Sequence, residues 1–143
     1  MKLLLTLLFA LPFTLGFSQD MQLNISAGKE TISVSLDDDN SGKLVNLSQH
    51  SAANNFLTIK ILNEEIDKDW KRSFTIYNAQ DSAIKDFMQM KNGSYCIKLK
   101  DLLPALHQSE EYFIYTIAFP KDPKKAMLVR PARKLVCEIK LND

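Results

Sequence analysis

Glycine, histidine and cysteine are scarce in this chain: four, two and two among 143 residues. So few glycines leave no phosphate-cradling loop, whose backbone must approach the ligand at several neighbouring positions. His50 and His107 stand far apart, and neither has a second zinc ligand at a useful spacing. Cys-x-x-Cys and Gly-x-Ser-x-Gly are both missing. The 18 basic and 17 acidic groups nearly cancel to +1, so this is not the strongly basic domain that neutralises nucleic-acid phosphates. Glu64-Glu65 and Glu110-Glu111 are adjacent, and neighbours on a strand or turn point apart, so both pairs read as solvated surface. With no nucleophile beside a base and an orienting group, neither enzymatic activity nor a cofactor is expected.

Long apolar runs are missing after residue 18, so no membrane-spanning helix is expected in the remainder. The one run present, Leu3 to Leu15, follows Lys2, is too short to span a bilayer, and ends at Gly16-Phe17-Ser18. A positive start, an apolar stretch and small-x-small at the end make residues 1–18 a secretory signal peptide. Cleavage is expected near Ser18/Gln19, leaving a secreted or periplasmic domain of residues 19–143. No cysteine sits at the cleavage point to carry a lipid, so a lipid anchor is not expected either. Loss of Lys2 makes that mature chain electrically neutral. Its size suffices for one core without a metal or disulfide staple.

Alternation with period two dominates the mature chain. Leu23 and Ile25 begin it, then Ile32, Val34 and Leu36; Leu57, Ile59 and Ile61; Phe74 and Ile76; Tyr95, Ile97 and Leu99. Tyr112 to Phe119 is apolar on both faces, as expected of a central strand covered on both sides. Leu135, Cys137, Ile139 and Leu141 close the chain as one apolar face, opposite Lys134, Val136, Glu138 and Lys140. Turn residues separate the runs, notably at Asp39-Asn40-Ser41-Gly42 and Lys91-Asn92-Gly93. Seven or eight short strands of this kind imply an all-β fold, a single antiparallel β-sandwich. A small closed β-barrel is the competing architecture. Asp101 to Gln108 and Asp122 to Val129 each open on a capping aspartate and have room for one or two helical turns.

The leucine-rich crossing Leu99-Lys100-Asp101-Leu102-Leu103-Pro104, followed by Tyr112 at the head of a long strand, resembles the tyrosine corner of immunoglobulin-like and fibronectin type III sandwiches. The resemblance implies that architecture and carries no function.

Three features hold candidate chemistry. Asp37, Asp39 and Ser41 supply alternate oxygen groups before Gly42, like the front half of a calcium loop. Its twelfth position is Ser48 where a bidentate glutamate belongs, so the calcium reading is weak and no metal is expected. An exported Cys96 and Cys137 are permitted a disulfide. Regular strands turn Cys137 inward and Cys96 outward, though a bulge in either would bring them to one side. Finally, Lys121, Lys124, Lys125, Arg130, Arg133 and Lys134 crowd one crossing offset only by Asp122. Such a loop can hold an anionic partner, and Met127, Leu128 and Val129 within it are either anchored in the core or offered outward.

The functional expectation is an exported, non-enzymatic binding module whose partner is another protein of the cell envelope. The rival is a carrier of apolar small molecules built as a barrel.

Overall fold

The structure is a computed structural model that describes residues 21–50 and 55–142. The expected signal peptide and the cleavage point at Gln19 lie outside the described residues. In chain order the strands are β1 (Gln22–Ala27), β2 (Glu30–Ser35), β3 (Leu44–Ser48), β4 (Phe56–Ile61), β5 (Trp70–Asn78), β6 (Ala83–Asp86), β7 (Met88–Gln89), β8 (Ser94–Lys98), β9 (Tyr112–Pro120) and β10 (Lys134–Asn142). They form two five-stranded sheets, ordered β2-β1-β4-β8-β7 and β3-β10-β9-β5-β6, around one shared core. Neither sheet closes on itself. The barrel alternative is therefore corrected in favour of a two-layer sandwich.

Alternation places the core. Leu23, Ile25, Leu57 and Ile59 are fully buried from the first sheet, and Phe74, Ile76, Ile114 and Val136 from the second. Each such side chain contributes roughly 1.5–3 kcal/mol by leaving water. Phe74 of β5 meets Tyr95 of β8 edge-on across the sandwich, with ring centroids 4.7 Å apart.

Four details depart from the expectation. The pairing is not wholly antiparallel, because β3 lies parallel to β10, from Leu44 opposite Glu138 to Ser48 opposite Asn142. Three further strands appear: β3 turns only Val45 and Leu47 inward, while β6 and β7 run four and two residues. A bulge between Leu135 and Cys137 puts both Val136 and Cys137 in the core, so Val136 does not face solvent. Lastly, β9 is central, between β5 and β10, but covered on one side only. Phe113, Tyr115 and Ile117 are half-buried on its outer face and Phe119 is exposed, since no layer packs outside them.

Short helices occupy both crossings. α1 (Leu99–Leu102) starts earlier than its aspartate suggests, without a side-chain cap, and tucks Leu99 and Leu102 into the core. α2 (Pro123–Ala126) begins where expected, with Asp122 accepting the Lys124 amide at 3.0 Å.

Tyr112 is buried at the head of β9, and its hydroxyl closes the α1 crossing. It accepts the His107 amide at 2.8 Å and donates to Glu110 Oε2 at 3.1 Å. Burial raises the phenol above its ordinary pKa and the His107 amide pulls the other way. The hydroxyl therefore keeps the proton it donates. Tyr112→Phe should destabilise by about 1–3 kcal/mol, because the His107 amide loses its acceptor. Equal denaturation midpoints for the two proteins would show that water replaces that acceptor without loss.

Candidate functional site

The loop joining β9 to β10 spans residues 121–133 and contains α2. Helix formation ends at Ala126, and the chain then projects Met127 and Leu128, each 86% exposed, with Val129 at 38%. The apolar trio is thus offered outward, not anchored. Lys124, Lys125 and Arg130 flank it and are themselves exposed, and no hydrogen bond or ion pair engages their side chains among the described residues.

The other three cations of the crossing are occupied. Lys121 Nζ donates to the Lys68 carbonyl at 2.5 Å. Lys134 lies 3.7 Å from Asp37 Oδ1. Arg133 is held most firmly. Its Nη2 reaches Asp81 Oδ1 at 2.5 Å, and its guanidinium carbon stacks 4.2 Å from the Tyr115 ring centroid and 4.8 Å from that of Tyr77. The hydrogen bond to Asp81 raises the Arg133 pKa further, so its charge is permanent. Tyr77 and Tyr115 meet edge-on at 5.6 Å, and Phe113 stands 6.4 Å from Tyr115. The base of the loop is therefore pinned to the outer aromatic face of the second sheet. Its tip, at Met127 and Leu128, is exposed.

The acidic turn behaves differently. Asp39 accepts the Ser41 amide at 3.0 Å, and this backbone hydrogen bond lowers its pKa. Asp37 faces Lys134 instead, so the two aspartates serve separate contacts. The neighbouring Asn40 is buried and ties the turn to the sheet through the carbonyls of Ser35 (2.9 Å) and Leu135 (3.2 Å). Among the described residues, no three of histidine, cysteine, aspartate and glutamate gather as a metal site.

Both cysteines carry free thiols. Cys96 is half-buried on the outer face of β8, and Cys137 is buried in the other sheet. The bulge in β10 precedes Cys137 and leaves it facing inward, so it does not bring the two sulfurs to one side. Burial pushes the Cys137 thiol up to about 12, which keeps it protonated and inert at neutral pH.

One constellation goes unseen in the sequence. Arg72 Nε and Nη2 form a two-pronged pair with Asp67 at 3.0 and 2.9 Å, with side chains 11% and 8% exposed. Arg72 Nη1 also donates to Thr116 Oγ1 at 3.2 Å, which in turn donates to the Ser73 carbonyl at 2.9 Å. Two clefts of about 320 and 310 Å³ open on either side, both bordered by Asp67, Trp70 and Arg72. A basic residue on an otherwise apolar strand face, Arg72 two before Phe74, is the signal that marks it.

Among the described residues, no helix is long and apolar enough to cross a membrane. The chain matches no protein-family model, curated protein or solved structure.

Proposed function

We propose that this chain is an exported, immunoglobulin-like binding module that recognises another protein of the cell envelope through the β9–β10 loop. Two features support the architecture. The order β1-β4-β8-β7 facing β10-β9-β5-β6 corresponds to strands A-B-E-D and G-F-C-C′ of an immunoglobulin-type Greek key, with β2 and β3 added. Tyr112 makes the hydroxyl-to-backbone bond of a tyrosine corner at the crossing between E and F. The β9–β10 loop then falls in the F–G position, at an end of the sandwich where loops cluster. Export rests on the apolar leader of residues 1–18.

The observation that carries the functional reading is the loop tip. Met127 and Leu128 lie almost wholly in water between three unengaged cations. Large apolar side chains displayed in this way mark contact surfaces, and the surrounding charge selects an acidic partner. Asp37, Asp81 and the Lys68 carbonyl already engage Lys134, Arg133 and Lys121, the other cations of the crossing. Recognition therefore concentrates at Lys124, Lys125, Met127, Leu128 and Arg130.

The test is a comparison of captures from the native envelope. Lys124→Gln, Lys125→Gln and Arg130→Gln together should leave folding within about 0.5 kcal/mol of wild type, as exposed substitutions do. The partner retained by wild type should be lost or bind at least tenfold more weakly, mainly through slower association, and its capture should fall as salt rises. Equal retention by the triple variant would remove the loop from the interface.

A further inference from the structure

We propose that Met88, Met90 and Cys96 form a surface site for a soft monovalent metal ion, Cu(I), on the outer edge of the first sheet. The backbone register brings the three sulfurs to one face. Met88 of β7 is directly opposite Cys96 of β8 in the antiparallel pair. Directly opposed residues keep their β-carbons about 4.5–5.5 Å apart, within reach of a thioether and a thiol meeting at one ion. Met90 lies two residues further along, its amide donating to the Ser94 carbonyl at 2.7 Å, so it stands diagonally from Cys96 on the same face.

All three side chains border one cleft of about 320 Å³, with Phe56 forming an apolar wall. Met88 and Met90 are 67% and 48% exposed, an unusual display for thioethers that core packing does not explain. Their long unbranched side chains can swing onto an ion without moving the backbone. Cys96 carries a free thiol that faces this cleft, away from the core.

The donor set selects the ion. One thiolate and two thioethers are soft ligands, and soft ligands favour Cu(I) over Zn²⁺, which prefers imidazole, thiolate and carboxylate. Two carboxylates, Asp86 and Asp101, and two lysines, Lys85 and Lys98, border the same cleft, and Asp86 Oδ1 already accepts the Thr75 hydroxyl at 2.7 Å. On binding, the Cys96 Sγ–H bond breaks, its proton passes to solvent, and the sulfur lone pair is donated to copper. Copper enters and stays as Cu(I), so no electron is transferred. The proposal is independent of the partner-binding reading, because this cleft shares no residue with the β9–β10 loop.

The experiment is an anaerobic titration of the folded, exported protein with Cu(I) supplied as its acetonitrile complex, against a chromogenic Cu(I) chelator. One Cu(I) should bind per chain. Cys96→Ser should weaken it at least 100-fold, Met88→Leu and Met90→Leu at least tenfold each, and Cys137→Ser should change nothing. Leucine keeps the bulk of methionine at exposed positions, so these variants retain the fold, and a circular dichroism spectrum superimposable on wild type checks this. Ag⁺, a redox-inert stand-in, should shift the methyl resonances of Met88 and Met90 and spare those of Met21 and Met127. If copper binding depends on Cys96 but is unchanged in both methionine variants, the ligand is a bare thiol and the site is overturned. Failure of the wild-type protein to retain Cu(I) overturns it equally.

Discussion

Alanine at Ile114 should lower folding stability by roughly 2–5 kcal/mol, measured by chemical denaturation. Ile114 is fully buried on β9, the central strand of the second sheet. Its backbone partners are Ile76 on β5 and Cys137 on β10, both also fully buried. Truncation therefore removes apolar surface and leaves a cavity between strands that cannot close without disturbing two ladders. A loss below about 0.5 kcal/mol would mean that the strand sits at a surface or that the core collapses freely around the gap.

Removing Asp67 should be as damaging. Asp67→Ala leaves the Arg72 guanidinium buried with Thr116 Oγ1 as its one remaining side-chain partner among the described residues. Breaking a buried pair from one side costs about 3–5 kcal/mol, because the surviving charge is desolvated without compensation. The same logic separates charge from packing. Asp67→Leu combined with Arg72→Met should recover most of the loss, since apolar groups of similar volume often replace a buried ion pair without penalty. A double variant as unstable as Asp67→Ala would show that the hydrogen bonds through Thr116 hold the sheet end, not the charge balance.

The strands with strict alternation are legible in the sequence because each has one face in the core: Leu57, Ile59 and Ile61 of β4 are the plainest case. β3 is not, since it has only two inward residues, Val45 and Leu47, and the apolar Leu44 turned outward beside them breaks the alternation. Its parallel pairing with β10 depends on how the chain returns, which no local pattern encodes. Val136 leaves its expected face for a similar reason: a bulge shifts the period by one residue and leaves the composition unchanged. The doubly apolar β9 is a different case. Of its outer aromatics, Tyr115 lies under the Arg133 guanidinium together with Tyr77 of β5 while Phe119 stays exposed, so apolar residues on both faces do not imply two covering layers.

At the loop, charge density is legible but its use is not. Arg133 and Lys134 look identical to Lys124 and Arg130 in sequence, and only their distant partners, Asp81, Tyr115 and Asp37, set them apart. Met127 and Leu128 continue the turn of α2, their amides donating to the Pro123 and Lys125 carbonyls at 3.2 and 3.1 Å, and neither side chain joins the core. The sulfur cluster at Met88, Met90 and Cys96 is hidden because β7 is only two residues long and its pairing with β8 is what unites them.

Site-specific photo-crosslinking from position 128 in living cells tests recognition through the β9–β10 loop most directly. A photoreactive residue replacing Leu128 sits at the exposed tip and disturbs no core contact. One discrete adduct with a cell-envelope protein is expected, lost when Lys124, Lys125 and Arg130 are changed to glutamine. The same probe placed at Lys29, in the exposed turn between β1 and β2, should give no such adduct. An adduct from position 29 and none from position 128 would contradict loop recognition and move the interface away from the β9–β10 loop.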